Sequence, residues 1–373
     1  MLARIRRPVP LYWATFLFMG VSLGATGPAL TDLRDRTGSD IGAIGILFVG
    51  QSAGYIVGSF AGGQLYDRFR GHRVYAGSLA LVSAGLVAVP VLSSLLGLFA
   101  AFLLVGVGSA VCGVGANTLL MWELGNQSSR AMNVMHLCFG IGALSAPLFV
   151  DVGLALAMWL AAGACLALAA ASLVIPAPVV RPSTGEQSTE QPRLLLALLA
   201  SFFFVYVGLE LGFAGWIHTY AEEIELGDTA ATWLTTTFWI GFTVGRAGSA
   251  ALAPYVRPKY VMAGACCGTI AASAALTIGN GATAVIWAST ALFGLSAAPQ
   301  FPTMMAYLER RIRVTGQATS WFIGASGFGG LIFPWLVGQW FAATGPTALP
   351  WATTILAVVT GAAFIVSNRA LGG

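Results

Sequence analysis

The sequence predicts an all-α integral membrane protein, twelve transmembrane helices arranged as two pseudo-symmetric six-helix bundles. Three observations lead there: an extreme apolar composition, twelve apolar runs of membrane-crossing length, and a glycine pattern shared by the two halves. Of 373 residues, 57% are hydrophobic, 9% are charged and 47 are glycine. A soluble domain carries roughly 45–50% apolar residues with Gly included and about 25% charged. Folding always leaves a large area facing solvent, so an aqueous globule could not hide this much apolar surface. A cytosolic enzyme, a secreted disulfide scaffold, a nucleic-acid binder and a disordered chain are excluded. The five cysteines, Cys112, Cys138, Cys165, Cys266 and Cys267, sit in apolar runs at no metal-ligand spacing and read as small hydrophobes.

A bilayer core about 30 Å thick needs roughly 20 apolar residues in a helix. The runs lie at 11–31, 41–64, 74–93, 96–122, 132–153, 155–175, 194–219, 229–252, 260–279, 283–307, 317–341 and 349–369. The first follows Arg4, Arg6 and Arg7 but is too long for a signal-peptide core and has no convincing cleavage site, so it counts as a span. With the N-terminus cytoplasmic, 16 of the 18 Lys and Arg fall inside and only Arg34 and Arg36 outside. That is the positive-inside pattern. An even number of spans returns the C-terminus to the cytoplasm, giving a multi-pass protein of the cell inner (plasma) membrane.

Between spans six and seven lies PAPVVRPSTGEQSTEQPR, a polar, Pro/Ser/Thr-rich segment that reads as a cytoplasmic linker. The expected domains are therefore 1–175, a linker 176–193, and 194–373. Gly54, Gly58, Gly140, Gly142 and Pro147 recur as Gly241, Gly245, Gly327, Gly329 and Pro334 at an offset of 187. Gly20, Gly24 and Gly27 match Gly208, Gly212 and Gly215 at 188. A parallel six-plus-six repeat is the plan of a transporter whose substrate site lies between the halves. Small residues four apart let helix backbones approach closely, because lipid supplies no hydrophobic drive for packing.

After span two comes GGQLYDRFRGHR (62–73), which resembles the signature loop of the major facilitator superfamily, G-x-L-x-D-R-x-G-R-R. Gly63, Leu65, Asp67, Arg68 and Arg73 match, with one extra residue before the Gly-His-Arg end. Asp67 can accept hydrogen bonds at the start of span three, where the helix dipole favours an anion. The arginines can bridge neighbouring helix ends and hold the cytoplasmic side shut. The expected gating set is Gly63, Asp67, Arg68 and Arg73 with Arg130, Arg246, Glu309 and Arg313, acting through the 63–73 and 308–316 loops. The equivalent second-half stretch, APYVRPKY (253–260), lacks the acid. FFFVYVGLELGFAGWIHTYAEEI (202–224), WLTTTFWIGFTVGR (233–246), MHLCFGIGALSAPL (135–148) and FGLSAAPQFPTMM (293–305) are similar to the branch of sodium-dependent glucose transporters, neighbours of the fucose permeases. The resemblance implies a facilitator fold and a sugar as substrate. That branch often has an acid four positions before the span-four Asn; here Gly113 precedes Asn117, which puts cation coupling through that acid in doubt.

One acidic residue sits deep in a span. Glu210 is flanked by FFFVYVGL and LGFAGW. A charge at helix centre costs roughly 2.5–3.5 kcal/mol on insertion scales, so such residues face cavities. Glu210 is the first candidate for a proton or sodium handle or an acceptor for substrate hydroxyls, and helical spacing puts Tyr206, Phe213 and Ala214 on its face. Gln51, Trp239 and Gln300, the last between Pro299 and Pro302, are further candidates, since amides orient hydroxyls and rings stack on a sugar's C–H face. Asn117 and His136 lie nearer the cytoplasmic ends; His136 reads equally as a pathway residue or a structural interfacial histidine. Trp321 suits the inner cavity or the lipid interface.

No Walker loop, dinucleotide fingerprint, zinc-protease motif or nucleophile–base pairing is present, so the chain reads as no enzyme, without cofactor, powered by gradients. The expected function is a secondary active or facilitative transporter of a small polar solute, a sugar first, working by alternating access with H+ or Na+ as candidate coupling ion. The alternatives are a proton-linked exporter of amphipathic compounds and a transport-dead sensor. Partners are the small-molecule substrate and the lipid bilayer, with no nucleic acid and no obligate protein partner implied.

Overall fold

In the computed structural model, which describes residues 8–125, 128–178, 193–279, 281–310 and 316–371, each of the twelve predicted runs lies on a helix or a pair of helices. The first run is α1 (Val9–Gly24) and α2 (Thr26–Thr37), bent by 47°. Pro28 lacks the N–H that the Gly24 carbonyl would accept, which accounts for the break. A short turn of helix, α3 (Ile41–Ile44), is capped by Asp40, whose carboxylate accepts from Ala43 N at 2.7 Å. Then come α4 (Ile46–Arg68), α5 (Gly71–Ala88), α6 (Leu95–Leu124), α7 (Ser128–Val152) and α8 (Leu154–Val174). The second half holds α9 (Arg193–Glu223), α10 (Asp228–Leu252), α11 (Pro258–Ile278), α12 (Thr283–Ala297), α13 (Gln300–Glu309), α14 (Gly316–Thr344) and α15 (Ala348–Ala370).

Among the described residues, eight helical segments are long and apolar enough to cross a membrane by composition alone, or nine with the bent pair. One of these, Trp321–Ala370, is two helices divided by the 3-10 turn Gly345–Thr347. Two spans fall short by composition: α5 opens on His72 and Arg73, and α10 carries a threonine run and Arg246. The threonines are not left hungry. Thr235, Thr236, Thr237 and Thr243 each donate to the carbonyl four residues earlier, which removes much of the cost of placing a hydroxyl in lipid.

Contacts divide the chain into two units, Met1–Ser39 with Ile46–Gly185, and Asp40–Gly45 with Glu186–Gly373. Both have the same internal plan. In the first, α1 packs on α7 and α8, α4 on α6, and α5 on α6 and α8. In the second, α9 packs on α14 and α15, α10 on α12, and α11 on α12 and α15. The repeated glycines lie at these crossings. A Cβ on Gly54 would enter the Leu103 carbonyl and one on Gly106 the Gln51 carbonyl; at the counterparts, a Cβ on Gly241 meets the Ala291 carbonyl and one on Gly294 the Phe238 carbonyl. The shared pattern is thus a shared need for backbone against backbone.

The signature loop supplies a buried anchor to the first unit. Gly71 starts α5 where a Cβ would strike Leu119 Cδ2, so the helix comes close enough to bury His72. Its Nδ1 lies 2.7 Å from the Ile175 carbonyl, and its Nε2 2.8 Å from the Tyr12 hydroxyl. A carbonyl only accepts, so Nδ1 carries the proton of the neutral ring and Nε2 accepts from Tyr12. The start of α1, the start of α5 and the end of α8 are thereby tied together.

Two substitutions test this packing in purified protein. Gly106→Ala lowers the thermal unfolding temperature, in line with overpacking costs of about 1–3 kcal/mol, whereas Gly163→Ala, where an added Cβ meets nothing, does not lower it. Tyr12→Phe leaves His72 Nε2 buried and unpaired, a loss of about 1–3 kcal/mol; an unfolding temperature equal to wild type would show the tie to be dispensable.

Candidate functional site

In the second unit, Tyr206 and Glu210 on α9 interact with each other and with the charge of Arg246 on α10. On α9, Tyr206, Glu210 and Phe213 follow one another at helical spacing, so they share a side. On α10, Trp239, Phe242 and Arg246 do the same at three and four residues. Tyr206 is fully buried and donates to the Ala297 carbonyl at 2.9 Å, at the break between α12 and α13. Pro299 and Pro302, with no N–H to give, enforce that break.

Glu210 is partly buried. Its carboxyl has the Tyr206 hydroxyl beside it and lies in the field of the Arg246 guanidinium. No direct ion pair joins Glu210 to Arg246 among the described residues. The guanidinium carbon instead lies over the Phe242 ring, 4.7 Å from its centroid, a favourable cation–π placement in a dry setting. Arg246 Nε is buried and has no hydrogen-bond partner among the described residues, and neither has Trp239 Nε1. Trp239 itself is 2% exposed and packs against Phe238 and Phe242 at ring distances of 4.9 and 5.5 Å. Behind them Phe213 and Phe293 stack at 3.9 Å, with Phe238 beside both. The arrangement offers an acid, a base and an indole N–H against an aromatic wall.

Arg246, expected in the gating set, rests over Phe242 with its charge acting on Glu210. Gln300 is bonded within the second unit. Its amide donates to Thr269 Oγ1 at 3.2 Å and lies within reach of the Ala265 and Ser296 carbonyls at 3.4 and 3.3 Å, and its side chain is fully buried. Its Nε2 thereby fastens α13 to α11, while its Oε1 meets the Cys266 thiol at 3.9 Å. His218, 7% exposed, sits 3.5 Å from Glu222 one turn on, a local pair.

The first unit holds its candidates separately. Gln51 Oε1 accepts from Thr26 Oγ1 at 3.3 Å. Asn117 Nδ2 donates to the Gly113 carbonyl at 2.8 Å, a bond inside its own helix. His136 packs edge-on against Phe16 at 5.4 Å. Of the gating set, Gly63, Asp67, Arg68 and Arg73 are exposed, and a Cβ on Gly63 would meet nothing. The hydrogen bonds expected of Asp67 and the arginine bridges are not formed among the described residues; the start of α5 is tied by His72, with Gly71 allowing the close approach. A lone histidine in a basic loop carried no signal of this in sequence. The side chains of Arg130 and Glu309, and all of Arg313, lie outside the described residues.

Known proteins can now be set beside this geometry. The chain is 23% identical over 372 residues to the mouse (Mus musculus) sodium-dependent glucose transporter 1A, covering 87% of this chain and 88% of the relative. Among solved structures, the nucleoside transporter NupG superposes with a TM-score of 0.76 at 16% identity, over 96% of this chain and 98% of that one. A bacterial homologue of the human lysosomal transporter Spinster gives 0.76 at 13%, over 98% of both. These likenesses in structure speak for the fold. The Major Facilitator Superfamily profile matches residues 12–334, and the chain belongs to that family of multi-pass membrane transporters.

Proposed function

We propose that this transporter carries a small polar solute, a sugar first, through the bilayer by alternating access, with both termini in the cytoplasm as the positive residues predict. The observation that supports this best is Glu210 in the field of Arg246, which shares the Phe242 ring with Trp239. Charged groups are expensive inside a membrane and persist where they meet one another or a polar cargo. The acid and base bind hydroxyls, and the indole and phenylalanine rings cover a C–H face. The name of the mouse relative makes D-glucose the first probe and Na+ the first ion, with H+ the second. A second reading, export of amphipathic compounds, draws on the Phe213–Phe238–Phe293 wall.

The test is uptake of D-glucose into liposomes holding the purified protein, under a Na+ gradient, a H+ gradient and neither. Wild type takes up glucose, and Glu210→Gln lowers the rate at least about tenfold, since a hydrogen bond to a charged group contributes about 1.5–3 kcal/mol and tenfold is about 1.4. Uptake without any gradient identifies a facilitative carrier. Unchanged rate and affinity in Glu210→Gln remove that residue from transport, and movement of a fluorescent amphipathic cation in place of glucose decides for the exporter.

A further inference from the structure

Two buried donors on α10 have no hydrogen-bond partner among the described residues, and the Glu210 carboxyl lies on the helix packed beside them. Arg246 Nε and Trp239 Nε1 are buried and unbonded, while the Glu210 carboxyl has the Tyr206 hydroxyl beside it and lies in the field of the Arg246 charge without a direct ion pair. Buried donors left open cost free energy. Phe242 lies between the last two, touching the indole on one side and the guanidinium on the other. The amide that would otherwise compete for a hydroxyl ligand, Gln300, is already spent on Thr269.

We propose that Arg246 is a specificity-determining residue which, together with Glu210, reads two neighbouring hydroxyl groups on an uncharged solute. This rests on the transporter reading above and names the chemistry of its cargo. A hydroxyl is donor and acceptor at once. Its O–H donates to the Glu210 carboxylate, while its oxygen or that of its neighbour accepts from an Arg246 N–H; Trp239 Nε1 supplies a further donor beside the ring. The two protein charges sum to zero. A neutral polyol therefore leaves no net charge out of water, whereas a cationic amino sugar or an anionic uronic acid does, at a high desolvation cost. Arg246 thus acts on selectivity, beyond serving as a counter-ion.

The experiment measures stabilisation of the purified full chain by D-glucose, D-glucosamine and D-glucuronate at a mildly acidic pH where the amino sugar is cationic, since a ligand that binds the folded state raises the unfolding temperature by mass action. Wild type responds to glucose and at least tenfold more weakly to the charged analogues. Glu210→Gln leaves a bare guanidinium and moves the preference toward glucuronate; Arg246→Gln leaves a bare carboxylate and moves it toward glucosamine. Arg246→Lys keeps the charge without the fork and loses glucose affinity at least tenfold. A merely structural pair would lower stability without exchanging the order of ligands. If the glutamine variants do not fold, Arg246→Lys with wild-type order and affinity overturns the proposal. A wild type that prefers either charged analogue overturns it while sugar transport stands; a wild type blind to all three overturns the sugar reading as well.

Discussion

Helices in lipid gain nothing from hiding apolar surface from one another, because the hydrocarbon around them is as apolar as they are. What holds them is close contact and satisfied polar groups. In this chain the contact is made by glycines that let one helix backbone touch the next, Gly54 and Gly106 in the first unit and Gly241 and Gly294 in the second. A single Cβ at any of them would enter a neighbouring carbonyl. The positions repeat because the crossings repeat: the second helix pair of each unit is built on the same approach. Every other placement, including which side chains of α9 and α10 face one another, follows from how near these backbones come.

Against that background, charge is the scarce resource of the interior. The threonines of α10 turn back on their own helix, Gln300 spends its amide on α11, and His72 is closed by Tyr12 and Ile175. These polar groups stabilise the structure and are finished with. Glu210, Arg246 and Trp239 differ in kind. The last two keep a buried donor without a partner among the described residues, and both pack on the Phe242 ring.

The spans could be read from sequence because their signal is length and composition, which lipid enforces strongly. The breaks at Ala25 and Ala298 were also readable in principle, through Pro28, Pro299 and Pro302. Residue roles were harder. Arg246 and Arg68 look alike in a sequence, each near the end of a span with a glycine nearby, yet one side chain turns inward along the Trp239–Phe242 face and the other stands exposed. That difference depends on which face of α10 meets α9, a tertiary fact. Gln300 makes the same point: an amide between two prolines in a membrane suggests a cavity, and only the packing of α13 on α11 reveals Thr269 as the partner of its N–H.

The two units share a fold but divide the chemistry unequally. In the first, the Asn117 amide is closed onto the carbonyl of Gly113, one turn earlier in its own helix. No carboxylate remains there to attract an ion. In the second, the one carboxylate deep in a span already lies in the field of a guanidinium. A cation drawn to Glu210 must therefore enter the field of Arg246, and in a low dielectric two like charges a few ångströms apart repel strongly. A cation and Arg246 compete for the same carboxylate. The Phe242 ring beneath the guanidinium sets the side of α10 from which that charge acts.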